Sequence, residues 1–124
     1  AMSWHEVSAL EASGLVRFGP HGHDHYILTQ LEADACMNDM RRSHEELHSH
    51  CRFPLPVYCY PNGNHDLVVR KNAAKLGYRY GLTTEAGLIS SGNDPLILPR
   101  IDVSQQAASH KGLMAWRIRQ GALL

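Results

Sequence analysis

The sequence has no excess of charge of either sign. Twelve Lys and Arg residues balance twelve Asp and Glu residues, so the formal net charge is zero. Nucleic acids and anionic membranes attract proteins that present a basic face. The balanced charge therefore argues against both as the main partner.

Long apolar runs are missing, and cysteine is scarce. No stretch approaches the roughly 20 apolar residues that cross a bilayer, and the first residues are typical of a helix start rather than of a signal peptide. The three cysteines, Cys36, Cys51 and Cys59, are odd in number and lack metal-pair spacing. No membrane span and no disulfide framework are predicted.

Histidine, in contrast, is abundant. The chain has nine histidines, and His21, His23 and His25 stand with Asp24 inside five residues. Imidazole is the commonest protein ligand of transition metals. A divalent metal, with zinc preferred, is therefore the first functional hypothesis.

Predicted helices and strands alternate along the chain. Two capping boxes, one from Ser3 to Glu6 and one from Thr29 to Glu32, predict the starts of the first two helices. The predicted helices span residues 3–11, 29–50, 66–76 and 105–120, and the predicted strands span 15–18, 57–60, 78–83 and 96–98.

This order predicts an α/β fold with a parallel sheet. Three candidate segments come just after predicted strands, at 21–25, 61–64 and 83–85. Loops at the carboxyl ends of parallel strands carry the chemistry of such folds. We therefore expect these segments to lie near one another.

Four motifs in this order resemble a known family. The strings are GPHGHDHYILT at 19–29, YCYPNGN at 58–64, GYRYGLTTEAG at 77–87 and LPRI at 98–101. They are similar to motifs of the polysaccharide deacetylases of the NodB-homology type, also called carbohydrate esterase family 4. Members carry His-(Ser/Thr)-x-x-His on a loop after a strand, and His21 and His25 fall on those two histidines.

The resemblance implies a fold, a reaction and a set of site residues. The fold is an irregular (β/α) barrel, and the reaction is metal-dependent removal of N-acetyl groups from a polysaccharide or amino sugar. His21 and His25 would bind the metal, and the N–H of Asn62 would stabilise the oxyanion. Tyr60 would line the groove wall, and Arg100 would point into the site.

The sequence also departs from the family pattern. The first family motif, Thr-Phe-Asp-Asp-Gly, supplies the catalytic base and an aspartate metal ligand, and nothing like it occurs in this chain. Gly22 replaces the usual hydroxyl residue and Tyr26 the usual proline. The chain is therefore expected to form one partial deacetylase-like domain over residues 1–124, an incomplete barrel that is inactive in isolation.

Several alternatives stay open. The chain is alternatively a non-catalytic remnant that binds metal or forms oligomers. The cluster is also similar to the metallo-β-lactamase motif His-x-His-x-Asp-His, although it is one residue short. Because an incomplete barrel exposes a sheet edge, and exposed edges pair with other chains, a homo-oligomer is expected.

The remaining polar residues of the cluster and of the second helix receive structural predictions. His23 is expected to face solvent or to support the metal-binding histidines. Asp24 is expected to cap or orient the loop, with replacement of the missing aspartate as the alternative. The histidines His44, His48 and His50 are expected on a solvated helix face, with a second metal site as the alternative.

Overall fold

The computed structural model describes residues 2–104 and 108–122. Helices and strands alternate in this part of the chain. The helices are α1 Trp4–Ala12, α2 Ala33–His50, α3 Leu67–Lys75 and α4 Lys111–Ala122, and the strands are β1 Val57–Cys59, β2 Tyr80–Ala86 and β3 Leu98–Arg100. Short 3-10 turns occupy Leu28–Gln30 and Pro61–Gly63.

The strands form a parallel sheet in the order β1-β2-β3. Tyr58 of β1 pairs with Gly81 of β2, and Leu82 of β2 pairs with Leu98 of β3. A glycine is needed at 81, because a Cβ there would overlap the carbonyl oxygen of Leu96 and lie 2.5 Å from the Tyr60 hydroxyl. The predicted α/β fold with parallel strands is confirmed.

The core lies where α2 and α3 pack against the sheet. Its buried members come from both helices, from β1 and from the turns beside them: Leu28, Cys36, Met40, Tyr58, Tyr60, Val69, Ala73 and Tyr78. A smaller cluster of Val7, Leu47 and Cys51, with Phe18 against it, attaches α1 to the far end of α2. Cys36, Cys51 and Cys59 are free thiols.

The two predicted capping boxes have different outcomes. The first is confirmed: the Glu6 N–H donates to Ser3 Oγ, and the Ser3 N–H donates to Glu6 Oε2 at 2.7 Å. The second is wrong, because Thr29 lies inside a 3-10 turn and α2 begins at Ala33 without a side-chain cap. The turn buries Leu28 in the core, and this burial outweighs the local capping preference.

The strand predicted at 15–18 is also wrong. Residues 15–20 run beside β1, where Phe18 O accepts from Leu55 N at 2.7 Å and Pro20 O accepts from Cys59 N at 3.1 Å. Pro20, Pro54 and Pro56 have no N–H to donate, so a regular ladder cannot form across this pair of segments.

The other predicted elements form with shifted ends. The predicted strands 78–83 and 96–98 appear as β2 and β3. β2 begins only at Tyr80, after Tyr78 has packed into the core next to the end of α3. The helix predicted over 105–120 appears as α4, and its predicted start at 105–107 lies outside the described residues. Among the described helices, none combines the length and the apolarity that crossing a membrane requires.

Candidate metal centre

The loop with the histidine cluster lies at the carboxyl end of β1. Pro20 accepts a backbone hydrogen bond from Cys59, the last residue of that strand. The chain then turns across the strand end, and Nδ1 of His21 lies 2.8 Å from the Cys59 carbonyl oxygen. The loop therefore occupies the edge of the sheet at which α/β folds place their chemistry.

His21 and His25 converge across this loop. Their Nε2 atoms are 3.2 Å apart, and their ring centroids are 4.8 Å apart with an interplanar angle of 71°. The loop closes over two left-handed residues, Gly22 at φ +75° and His25 at φ +57°. The predicted metal-binding pair is thus brought together by the backbone.

The contact with Cys59 sets the proton position on His21. A carbonyl oxygen only accepts hydrogen bonds, so Nδ1 of His21 must be the donor. In a neutral ring the lone pair then resides on Nε2, the atom that faces His25. A backbone carbonyl on the opposite ring nitrogen is the usual support of a metal-binding histidine.

The pair fits two positions around a divalent ion. Two nitrogens bound to one tetrahedral zinc at about 2.0–2.1 Å lie roughly 3.3 Å apart, which is close to the 3.2 Å between these Nε2 atoms. Within residues 2–104 and 108–122, His, Cys, Asp and Glu side chains form no group of three that could hold a metal. The described residues therefore supply two nitrogen donors and no third ligand.

Asp39 of α2 is buried beside this loop, and none of the sequence motifs predicts its position. Its side chain is buried, and its two oxygens accept the N–H groups of His23 and Asp24 at 3.0 and 2.9 Å. The available signal was its spacing, because an acidic residue stands between Cys36 and Met40 on the buried face of an otherwise exposed helix.

His23 and Asp24 turn away from the histidine pair toward α2. The ring of His23 contacts Asp24 at 2.9 Å and Glu46 at 3.3 Å, and Arg42 pairs with Asp24 at 3.1 Å. The hydrogen bond from His23 and the nearby Arg42 hold the pKa of Asp24 below its ordinary value. Asp24 therefore connects the loop to α2 through Arg42, and no metal-holding group of the described residues includes it.

The turn after β1 presents Asn62 to solvent. Asn62 is left-handed at φ +56°, and its carbonyl oxygen accepts from Thr84 Oγ1 at 3.3 Å. Its side chain donates to Asn64 Oδ1 at 2.7 Å, and within the described chain its own N–H makes no hydrogen bond. An exposed N–H at a strand end is the type of donor that an oxyanion hole uses.

Tyr60 differs from its predicted position. The side chain is fully buried, and its hydroxyl donates to Leu96 O at 2.9 Å. Burial raises the pKa of Tyr60 to about 12. Strand alternation explains the difference: Tyr58 and Tyr60 are two residues apart and share the core face, so the phenol packs inside instead of lining a groove.

Arg100 stands at the same end of the sheet as the histidine loop. Its Nε donates to the carbonyl oxygen of Thr83 at 2.6 Å. Burial raises the pKa of the Cys59 thiol, and the Arg100 guanidinium opposes that effect. Arg100 thus adds positive charge at the carboxyl end of β3, where its side chain contacts β2, the strand beside β1.

Of the three histidines predicted on a solvated face, His48 and His50 are exposed and His44 is half-buried. Its Nδ1 contacts the hydroxyl of the core residue Tyr78 at 2.9 Å, and its ring lies 3.9 Å from that of His48. Burial, and then the charge of His48, lower the pKa of His44. This histidine therefore joins α2 to the core, and the prediction of a solvated position is corrected for His44 alone.

Comparison with protein families agrees with the resemblance found in the sequence motifs. A family model described as polysaccharide deacetylase matches residues 1–81 of the chain. No match is found among curated proteins.

Solved structures with the same fold come from several bacteria. The Streptococcus pyogenes deacetylase PplD, solved in complex with acetate, is 26% identical with a TM-score of 0.76, over 82% of this chain and 45% of that one. IcaB from Ammonifex degensii is 22% identical with a TM-score of 0.77, over 93% of this chain and 52% of that one. The BpsB deacetylase domain from Bordetella bronchiseptica is 18% identical with a TM-score of 0.70, over 80% of this chain and 48% of that one. The chain thus spans about half the length of the structures that it matches.

Proposed function

Because this chain belongs to the polysaccharide deacetylase family, we propose that it provides the histidine pair and the oxyanion turn of a metal-dependent hydrolase. The substrate class is an N-acetylated polysaccharide or amino sugar, and the preferred metal is zinc. The observation that carries the proposal is the convergence of His21 and His25, with the Nδ1 of His21 on the Cys59 carbonyl.

The residues divide the work as follows. His21 and His25 would hold the metal, and a bound divalent ion would supply the Lewis acidity that polarises an acetamide carbonyl and activates a water. The exposed N–H of Asn62 donates a hydrogen bond to the oxygen that becomes negative. Arg100 adds positive charge at the same strand ends, and Tyr60 supports the turn from the core through its bond to Leu96.

We further propose that this chain by itself binds metal without releasing acetate. The described residues supply two ligands and no third acidic partner, whereas catalytic zinc sites use three protein ligands and an open position. The same observation favours the rival function, a non-catalytic metal-binding relative, so the two have to be separated by experiment.

A chimaera separates them. Residues 2–104 replace the equivalent segment of the S. pyogenes enzyme, and acetate release is measured on N-acetylglucosamine oligomers. Intact PplD is the positive control, and the assay uses an oligomer from which intact PplD releases acetate. The proposal predicts acetate release by the chimaera, loss of release with His21→Ala, and none from the isolated chain. A folded, metal-binding chimaera that releases no acetate would favour the non-catalytic rival.

We also propose that the chain self-associates through the face beside β1. Leu15 is 90% exposed and Phe53 is 57% exposed, and within the described residues the N–H groups of Val16 and Arg17 make no hydrogen bonds. Free backbone donors next to apolar side chains favour pairing with a second copy. Analytical ultracentrifugation should show a dimer or larger species that Leu15→Ser/Phe53→Ser dissociates; a monomer at high concentration would contradict this.

A further inference from the structure

We propose that Asp39 is a positioning residue, a buried carboxylate that fixes the loop between His21 and His25 in its metal-binding shape. The expected effect of Asp39 on metal affinity rests on the proposed function. The effect of Asp39 on the loop conformation does not, so each effect has its own test.

The first step is the burial of the carboxylate. Asp39 is 4% exposed on α2 and lies beside the buried residues Met40 and Ser43. A buried carboxylate is costly unless hydrogen bonds compensate for the lost water. Here Oδ1 accepts from the His23 N–H at 3.0 Å and Oδ2 accepts from the Asp24 N–H at 2.9 Å.

The second step is the place of these two N–H groups in the loop. His23 and Asp24 are the two residues between Gly22, at φ +75°, and His25, at φ +57°. The left-handed conformation is unfavourable for a residue with a Cβ, such as His25. Without the carboxylate, the His23 and Asp24 N–H groups would lose their acceptors. The loop would then relax from the left-handed conformation at His25, and the His25 ring would move away from His21.

The third step is the space around the carboxylate. A Cβ at position 22 would lie 3.2 Å from Asp39 Oδ1 and 3.1 Å from Cγ of Pro61. The glycine therefore lets α2, the histidine loop and the turn after β1 approach closely. Asp39 connects the metal-binding loop to the body of the protein at this point.

The direct test uses the amide groups. We expect the His23 and Asp24 amides of the unaltered protein to exchange slowly with solvent, although both residues lie in a loop. Asp39→Asn keeps one acceptor oxygen and places an NH₂ opposite the other amide, so at least one of the two amides should lose its protection. Fast exchange in the unaltered protein, or unchanged exchange in Asp39→Asn, would overturn the inference without touching the proposed function.

The second test uses zinc binding measured by calorimetry. We expect Asp39→Asn to weaken zinc binding about 10- to 100-fold, the range found for groups that support metal ligands. Leu47→Val is the matched control, because Leu47 is buried on the same helix but belongs to the separate α1 cluster. It should lower the melting temperature and leave zinc affinity unchanged.

The outcomes separate the two ideas. Equal zinc affinity in Asp39→Asn and in the unaltered protein would overturn the positioning role. An equal loss of affinity in Asp39→Asn and Leu47→Val would also overturn it, because the effect would then follow stability alone. A complete lack of zinc binding by the unaltered protein would overturn the proposed function, and the exchange experiment would still decide the role of Asp39 in the loop.

Discussion

The ring of His21 is anchored to the backbone of Cys59, with Nδ1 at 2.8 Å from the carbonyl oxygen. This contact joins a loop residue to the last residue of a parallel strand, 38 positions along the chain. It fixes both the ring direction and the proton position, so the opposite nitrogen can serve as a ligand.

The first prediction concerns that proton. In its neutral state His21 should be the Nδ1–H tautomer, because the carbonyl of Cys59 cannot donate. Long-range ¹H–¹⁵N correlation spectra at a pH above 8 distinguish the two tautomers directly. A neutral His21 with its proton on Nε2 would contradict the anchoring described above.

The second prediction compares two buried tyrosines. Tyr60→Phe removes the hydrogen bond to Leu96 O and should cost about 0.5–1.5 kcal/mol of unfolding free energy. The hydroxyl of Tyr58 is buried near Ser43 and Gly22 but makes no well-aligned hydrogen bond within the described chain, so Tyr58→Phe should be neutral or stabilise by up to about 1 kcal/mol. Urea denaturation of both variants measures the difference, and equal losses would contradict it.

Tyr58 and Tyr60 also show which features of the fold could be predicted from the sequence and which could not. The strand at 57–60 follows from local residue preferences, and the parallel sheet follows from the alternation of elements. The direction of Tyr60 depends on which face of β1 meets α2 and α3, which is a tertiary fact. The local sequence therefore predicted the turn after β1, whereas the burial of Tyr60 could be read only from the packing.

Asp39 illustrates a second limit. The histidine spacing is visible in one short string, so the proximity of His21 and His25 is predictable from the sequence. The carboxylate that holds the loop lies 15 and 16 residues from the amides that it binds. Only the packing of α2 against the loop brings these groups together. A single aspartate in a helix carries no local sequence pattern that predicts such a contact.

The third prediction concerns two left-handed glycines. Gly63 has φ +75°, and a Cβ there would overlap Thr84 Oγ1 and lie 2.6 Å from Thr84 N. Gly77 has φ +89° with open space around it. Gly77→Ala should cost about 1–2 kcal/mol from backbone strain alone, and Gly63→Ala should cost about 1–3 kcal/mol more because the added methyl group overpacks the contact with Thr84.

Chemical denaturation of the two glycine variants gives the comparison. Because both substitutions introduce the same methyl group at a positive φ, their difference isolates the contact between the turn and Thr84. A similar loss for the two variants would mean that the turn at 61–63 moves away from β2 without penalty.

The fourth prediction concerns acid stability. Burial lowers the pKa of His44 below its ordinary value of 6.5, with His48 adding to the effect and Glu45 opposing it. The unfolded chain therefore binds the proton first, and His44 destabilises the folded state as pH falls from 6.5 toward the lowered pKa. Well above pH 6.5 the ring is neutral in both states and contributes no pH dependence.

His44→Gln keeps a polar partner for the Tyr78 hydroxyl and removes the titration. The stability difference between the unaltered protein and this variant should be constant above pH 7 and should shift in favour of the variant at pH 5.5. Denaturation curves at both values give the answer. Parallel stability profiles for the two proteins would show that His44 does not titrate differently on folding.

The most direct measurement of the central claim is zinc binding by calorimetry to the unaltered chain and to His21→Ala/His25→Ala. His5→Ala/His48→Ala serves as control, since it removes two exposed imidazoles away from the loop. The account predicts one zinc per site formed by His21 and His25, binding that weakens as pH falls because protons compete for the ligands, and loss of binding only in the His21/His25 variant. Equal zinc binding in all three proteins, or none in the unaltered chain, would contradict it.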